Sequence, residues 1–358
     1  MGDIKLIILL LVLLFQISVA AQKNKKTKLK QDSIPDYENS TLFDSEEILY
    51  FDLKLNKKDV LNDIGDDRIY HWAKVKYKDA NGDSVKLKIK VKTRGHYRRS
   101  AQNCNFPPLK LKIPKKVRWS ENIFSGQSRI KLVVPCFINR ERLQEMVMKE
   151  YLAYKIYNLF TKNSYKVRLV QINLIDSLKN EKLFSFKGFF IEETKQMAQR
   201  NNGKIIKLTN FSQKKVNKEE MVQLAVFQYF IGNTDWAVTG LHNIKLLFVN
   251  NNIIPVAVPY DFDWCGFVNA PYAEPAPQIG TSSVKERVYR GYARTVDEYS
   301  PVIKKFNDNQ KQIYQLFENN KLISENTKKN TKKYFDDFYE IINNPKKVNS
   351  NFIKKARK

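Results

Sequence analysis

Along the first half of the chain, apolar and polar residues alternate with a period of two. Ile48 to Leu55, Tyr70 to Tyr77 and Val85 to Val91 read as strands, the last two joined by a turn at Asp79, Ala80, Asn81 and Gly82. Leu109 to Ile113 and Arg129 to Val134 are shorter strand candidates. The pattern changes at Asn139, where Leu143, Met146, Val147, Glu150, Tyr154 and Tyr157 recur at spacings of three and four. This predicts a helix with a carboxylate on its apolar stripe. Val167 to Ile175 and Phe184 to Ile191 then predict a second hairpin around the polar loop Asp176 to Lys182.

The second half begins with helical spacing. Asn217 with Glu220 forms a capping signal, and Met221, Leu224, Phe227 and Ile231 mark one buried face. Val222, Val226, Tyr229 and Phe230 add apolar residues on the other sides, so this helix is expected to be buried nearly all round until Gly232 ends it. A polar loop to His242 leads into a hairpin of Ile244 to Val249 and Ile253 to Val258, followed at once by Pro259, Tyr260, Asp261, Phe262, Asp263 and Trp264. Tyr299 to Ile342 mixes charged and apolar residues as helices do, and no internal repeat is present.

The N-terminus changes the picture of where the chain works. Lys5 precedes an apolar run from Leu6 to Phe15, then Gln16, Ile17 and the small-residue pattern Ser18, Val19, Ala20, Ala21. A charged region, an apolar run and a small-x-small site predict a cleaved signal peptide and an exported protein, periplasmic, outer-surface or secreted. The competing reading, a membrane anchor, fails because the run falls short of the ~20 residues a span needs, and no later stretch is long and apolar enough. Roughly 335 residues remain, enough for a large core without disulfides. Cys104, Cys136 and Cys265 allow one bridge and one free thiol, and which pair joins is left open, with Cys104 to Cys136 one choice.

The net charge of +26 favours polyanionic partners such as nucleotides, nucleic acid, lipopolysaccharide or acidic proteins. Lysine is nevertheless spread along the whole chain, and a solvated lysine-rich surface is an equal reading. Lys23 to Lys30 and Lys346 to Lys358 are dense, basic and poor in apolar residues, and are expected to be flexible.

The candidate chemistry lies between Gly232 and Trp264. A short hairpin returns the chain to its starting edge, so Asn243 and Asp261 should converge, with Asp235 and Asp263 close by. Donors that are few and carboxylate-rich suit Mg²⁺ or Mn²⁺ carrying phosphates, with one Asp left to accept a hydroxyl proton. Taken singly, Asp235 and Asn243 read as loop caps and Asp261 with Asp263 as an acidic turn. Together, two carboxylates beside Phe262 and Trp264 repel each other unless a cation lies between them. His242 reads as structural, and a total of three histidines argues against a His-rich zinc site.

Gly232, Asn233, Thr234, Asp235 and Trp236, then His242 and Asn243, then Pro259 to Trp264 resemble the signature segments of the CotH-like atypical kinases, a secreted and spore-coat family. Arg94 and Gly95 ahead of the basic strand Leu109 to Ile113 resemble that family's N-terminal signature, and the similarity covers roughly residues 45 to 300. One departure stands out: Asn243 follows Asp235 by eight positions, against five in the protein-kinase pattern. The resemblance implies an α+β, protein-kinase-like two-lobed fold, with a β-rich N-lobe 45–195 holding one inserted helix and a C-lobe 196–342; the ends read from the sequence add a signal peptide 1–21, a flexible basic linker 22–44 and a basic tail 343–358.

It also implies a monomeric enzyme that transfers phosphate from ATP, with Mg or Mn, to a protein hydroxyl. Asp235 would be the base, and Asn243, Asp261 and Asp263 the metal ligands. A lysine should then bind the nucleotide phosphates, fixed by a helix glutamate. Glu150 fits, since an unpaired charge on an apolar stripe is costly. Its partner is expected among Lys131, preferred by chain order, and Lys110 or Lys112; Arg94 is counted with them as nucleotide-binding, and Glu192 and Glu193 are alternatives facing the nucleotide. Asn269 to Pro275 occupies the place of a substrate or lid loop, or is only a Pro-rich surface turn. The rival reading is a catalytically inactive kinase-like module that binds an anionic envelope polymer or a protein. A metal-dependent phosphoesterase is weaker, because the usual histidines are lacking.

Overall fold

The computed structural model describes residue 37 and residues 40–137 and 140–357; the expected signal peptide, 1–21, lies outside the described residues. Seven strands form where the alternating pattern places them: β1 (Leu49–Leu55), β2 (His71–Lys78), β3 (Ser84–Thr93), β4 (Leu109–Lys112), β5 (Arg129–Val133), β6 (Val167–Asp176) and β7 (Lys182–Ile191). They close into a barrel in the order β1-β2-β3-β4-β5-β7-β6. Closure is made by β6 lying parallel to β1, with Leu49 opposite Val170 and Leu55 opposite Asp176, while the other pairs are antiparallel. The period of two sends Ala73, Val75, Ile89, Val91, Leu109, Leu111, Ile130 and Leu132 inward, where they are buried with Val170, Ile172, Phe186 and Phe190.

The helices pack outside this barrel. The longest are α1 (Glu141–Phe160), α2 (Lys218–Phe230), α3 (Val296–Glu318) and α4 (Glu325–Ile342). Asn217 caps α2 by accepting the Glu220 N–H at 3.1 Å, and every α2 residue from Met221 to Phe230 is buried. Between α2 and α3, β9 (Ile244–Val249) and β10 (Val256–Pro259) form the expected hairpin, extended by β8 (Gly203–Ile206) into a three-stranded sheet. The return strand begins later than the sequence suggested: Asn250 and Asn251 both take positive φ, and Ile253 is left 86% exposed in the turn. Among the described residues no helix is long and apolar enough to cross a membrane.

The expectation of a two-lobed, protein-kinase-like fold is corrected. The N-terminal strands close on themselves around their own core. The outer wall of β6 and β7, through Val167, Leu169, Phe189 and Ile191, joins α1 to the C-terminal helices in a second, continuous core. The inserted helix therefore belongs to the packing of the C-terminal half. Period two specifies which residues face in, but not whether a sheet stays open or closes, so closure was invisible in the pattern.

The C-terminal residues also differ from the flexible tail expected. Pro345–Val348 and Asn349–Lys354 are helical, and the Phe352 ring is fully buried against Tyr229 at 4.9 Å and Tyr289 at 5.0 Å. The Tyr299 hydroxyl donates to the Phe352 carbonyl at 2.7 Å. One aromatic residue every several positions suffices to pin a basic segment, a signal that composition averages away. Phe352→Ala is expected to cost about 3–5 kcal/mol of stability. Urea unfolding checks this, and an unchanged midpoint would show that the segment does not contribute to the core.

Candidate functional site

One cleft, about 370 Å³ in volume, is lined by Arg94, Glu150, Asp235, Asn243, Asp261 and Asp263. Residues from four distant stretches meet there because the hairpin closes as its sequence predicts: Pro259 lies opposite Ile244, and the Tyr260 N–H donates to the Asn243 carbonyl at 3.0 Å. Asn243 and Asp261 flank that base and both take positive φ, 51° and 65°. The left-handed conformation is unusual for Asp, and its cost is offset here by a fixed hydrogen bond, the Asp261 N–H donating to the Tyr154 hydroxyl at 2.8 Å.

Asp235 is held from both sides. The Asn243 amide donates to Asp235 Oδ2 at 2.9 Å and to the Asp235 carbonyl at 2.8 Å, and His242 Nε2 lies 2.7 Å from Asp235 Oδ1. The amide nitrogen being committed, Asn243 Oδ1 is the atom left to face a cation. The loop itself hangs from α2: Asn233 donates to Gln228 Oε1 at 3.0 Å and accepts the Asp235 N–H at 2.9 Å. Directly behind, Gly232 and Gly266 meet backbone to backbone, Gly266 N–H to Gly232 carbonyl at 3.0 Å, beside Phe267 N–H to Ile231 carbonyl at 2.9 Å. A side chain on Gly266 would overlap the Val284 carbonyl and the Tyr334 hydroxyl.

Glu150 is buried as expected, but its partner is not. Among the described residues it forms no ion pair with Lys131, Lys110 or Lys112. Burial first, and then Asp263 and Asp261, push its carboxyl well above the usual range against the opposing pull of Arg98 and Arg94. Asp263 is pushed up to about 6, by burial and then Asp261, and donation from the Tyr272 hydroxyl at 2.9 Å holds its orientation. None of the three lysines lines the cleft, although Lys131 is near enough for the charges of Arg94 and Asp261, which do line it, to act on its ammonium. Lys110 and Lys112 point to the barrel's outer wall by strand alternation, and the Lys131 ammonium lies 4.7 Å from the centre of the Tyr260 ring. Burial and the neighbouring Arg94 bring Lys131 down to about 8. Glu192 and Glu193 are spent on structure, pairing with Arg200 at 2.8 Å and accepting from Tyr37 at 2.6 Å.

The residue that the sequence did not disclose is Arg98. Its guanidinium is buried and donates to the Val134 carbonyl, and its charge is felt by Glu150, Asp263 and Asp261. The bridge between Cys104 and Cys136, with Cα atoms 4.8 Å apart, ties the loop that carries Arg98 to the end of β5. Arg94 and Arg98 each leave a buried Nε without a hydrogen-bond partner among the described residues. Tyr97 and Trp264 line one side, and Tyr272 packs against both with ring centres 5.5 and 6.2 Å away, so Asn269 to Pro275 lies against the rim of the cleft through Tyr272. The available signal for Arg98 was its spacing of four from Arg94 across Gly95, which takes φ 85°.

Among the described residues no group of three or more His, Cys, Asp or Glu is arranged to hold a metal ion by itself. What the cleft offers is two carboxylates and an amide oxygen opposite two arginines with unsatisfied donors, a donor set that suits Mg²⁺ or Mn²⁺ arriving with phosphate oxygens. A scan against protein-family models finds none that matches the chain, and a search of curated proteins finds no match.

Asp263 has a folded pKa above its unfolded one, so between about pH 4 and 6 the folded state holds the extra proton and stability falls as pH rises. Asp263→Asn is therefore expected to be more stable than wild type at pH 8 and equal to it at pH 4. Melting temperatures across that range decide it; a variant less stable than wild type at pH 8 would contradict the crowding of these carboxylates.

Proposed function

We propose that this cleft binds a nucleotide such as ATP with Mg²⁺ or Mn²⁺ and transfers its terminal phosphoryl group to a protein hydroxyl. The observation that carries the reading is the pairing of crowded carboxylates with two arginines whose buried Nε atoms have no partner. Such donors are costly to leave unmet, and a phosphate meets both. Asp261, Asp263 and Asn243 Oδ1 would hold the divalent ion, which when bound neutralises phosphate charge. Arg94 and Arg98 orient the phosphates from the barrel side. Asp235, fixed by Asn243 and His242, accepts the proton of the attacking hydroxyl and can share it with His242 Nε2 at 2.7 Å.

That none of the three candidate lysines lines the cleft favours a second reading, a module that binds an anionic ligand without transferring from it. The two readings separate in one set of variants. Asp261→Asn is expected to abolish the Mg²⁺-dependent thermal shift caused by nucleotide, whereas Asp235→Asn should keep that shift and lose transfer. An equal shift in wild type and Asp261→Asn would remove the metal assignment. A shift in wild type without transfer to any protein hydroxyl would leave the binding module.

Export is part of the same reading. The bridge joining Cys104 and Cys136 is of the kind that persists outside the reducing cytoplasm. Mass spectrometry of the protein from its native source is expected to find an N-terminus near Ala21 or Gln22, and an intact Met1 would contradict it.

A further inference from the structure

Beside the cleft, the outer wall of β2 to β5 carries a dense array of lysines. Cross-strand register sets Lys90 opposite Lys112 and Lys112 opposite Arg129, while Lys92 faces Lys110 and Lys110 faces Lys131. On the neighbouring pair, Lys74 faces Lys88 and Lys76 faces Lys86. Like charges directly opposite each other destabilise a sheet. Among the described residues none of these cations forms an ion pair. Two aromatic rings support the array. The Lys88 and Lys90 ammoniums lie 4.5 and 4.4 Å from the Trp72 ring centre, and those of Lys92 and Lys112 lie 4.9 and 5.5 Å from that of Tyr70.

The wall has a direction. β3 carries Lys86, Lys88, Lys90 and Lys92 on one face and runs straight into Arg94, which lines the cleft. Successive side chains on one face of a strand stand ~6.7 Å apart, the interval at which an extended polypeptide repeats its own same-side residues. We propose that this wall docks an acidic polypeptide segment and leads its hydroxyl-bearing residue to the cleft, the second half of this resting on the phosphotransfer reading. A single-stranded nucleic acid needs free ring faces on which to stack its bases, and here Trp72 and Tyr70 already hold ammonium groups. A flat anionic lipid surface touches the convex wall of a closed barrel along a line, which leaves most of the array unmatched.

The test uses a fluorescein-labelled peptide of alternating Glu and Ser, with an oligothymidylate of equal charge and phosphatidylglycerol vesicles as comparators. Wild-type protein is expected to bind the peptide in a salt-dependent manner and more tightly than either comparator. The triple variant Lys86→Glu, Lys88→Glu, Lys90→Glu, which alters only outward-facing residues, should bind it at least about tenfold more weakly. Asp261→Asn should bind it as wild type does. In transfer assays with Mg²⁺-ATP, the triple variant should raise KM for the peptide about tenfold and leave kcat unchanged. Equal peptide affinity in wild type and the triple variant, or tighter binding of the oligonucleotide or the vesicles, would overturn the proposal. Peptide binding by a wild-type protein that shows no nucleotide-induced thermal shift would uphold the docking wall and remove only the transfer reading.

Discussion

The parallel pairing of β6 with β1 is the constraint on which the rest of the molecule depends. It joins the first strand to one that follows α1, so the closed barrel has the helix between β5 and β6 lying outside it. Closure leaves no free edge in that sheet and gives each strand two neighbours. It also fixes the outward faces. The β6 and β7 wall becomes an apolar platform for α1 and the C-terminal helices, and the β2 to β5 wall becomes a lysine array. The cleft lies where the end of β3, the middle of α1 and the base of the β9–β10 hairpin meet.

Electrostatics in that cleft follow from the same packing. α1 turns Glu150 inward beneath Arg94 and Arg98, and the hairpin brings Asp261 and Asp263 to the same place. Four carboxylates and two guanidiniums around a space of a few hundred Å³ are a poor arrangement for stability, because burial raises the cost of every charge that is not directly bonded. Such crowding is retained where a ligand relieves it. Positive φ at both Asn243 and Asp261 belongs to the same arrangement, since each residue takes a sparsely populated backbone at the base of the hairpin where both line the cleft.

Much of this was legible in the sequence. Local periodicity places the barrel strands and long helices, because which face is buried is written in alternation or in spacings of three and four. The convergence of Asn243 with Asp261 was equally legible, since a short hairpin permits no other geometry. Barrel closure was not, nor was Arg98 as the buried cation near Glu150, for both depend on contacts between segments far apart in sequence. Lys131, Lys110 and Lys112 were reasonable partners by chain order, but their strands turn them to the outer wall and beside Tyr260. His242, read as structural, proved to lie against Asp235 because an isolated bridge between Ala237 and His242 folds the loop back on itself.

The seam between Gly232 and Gly266 bears on how such a site can diverge over generations. It binds the start of the Asp235 loop to the segment just after Asp263 through two backbone hydrogen bonds, with no room for a side chain on Gly266. On the proposed reading, the separation between Asp235 and the pair Asp261 and Asp263 would thereby be set by main chain, which selection cannot adjust by exchanging side chains. Descendants of this protein can instead vary the opposite rim, where Arg94 and Arg98 ride on a loop tethered by a single disulfide. Ligand preference would drift along that rim while the acid side of the cleft stays as it is.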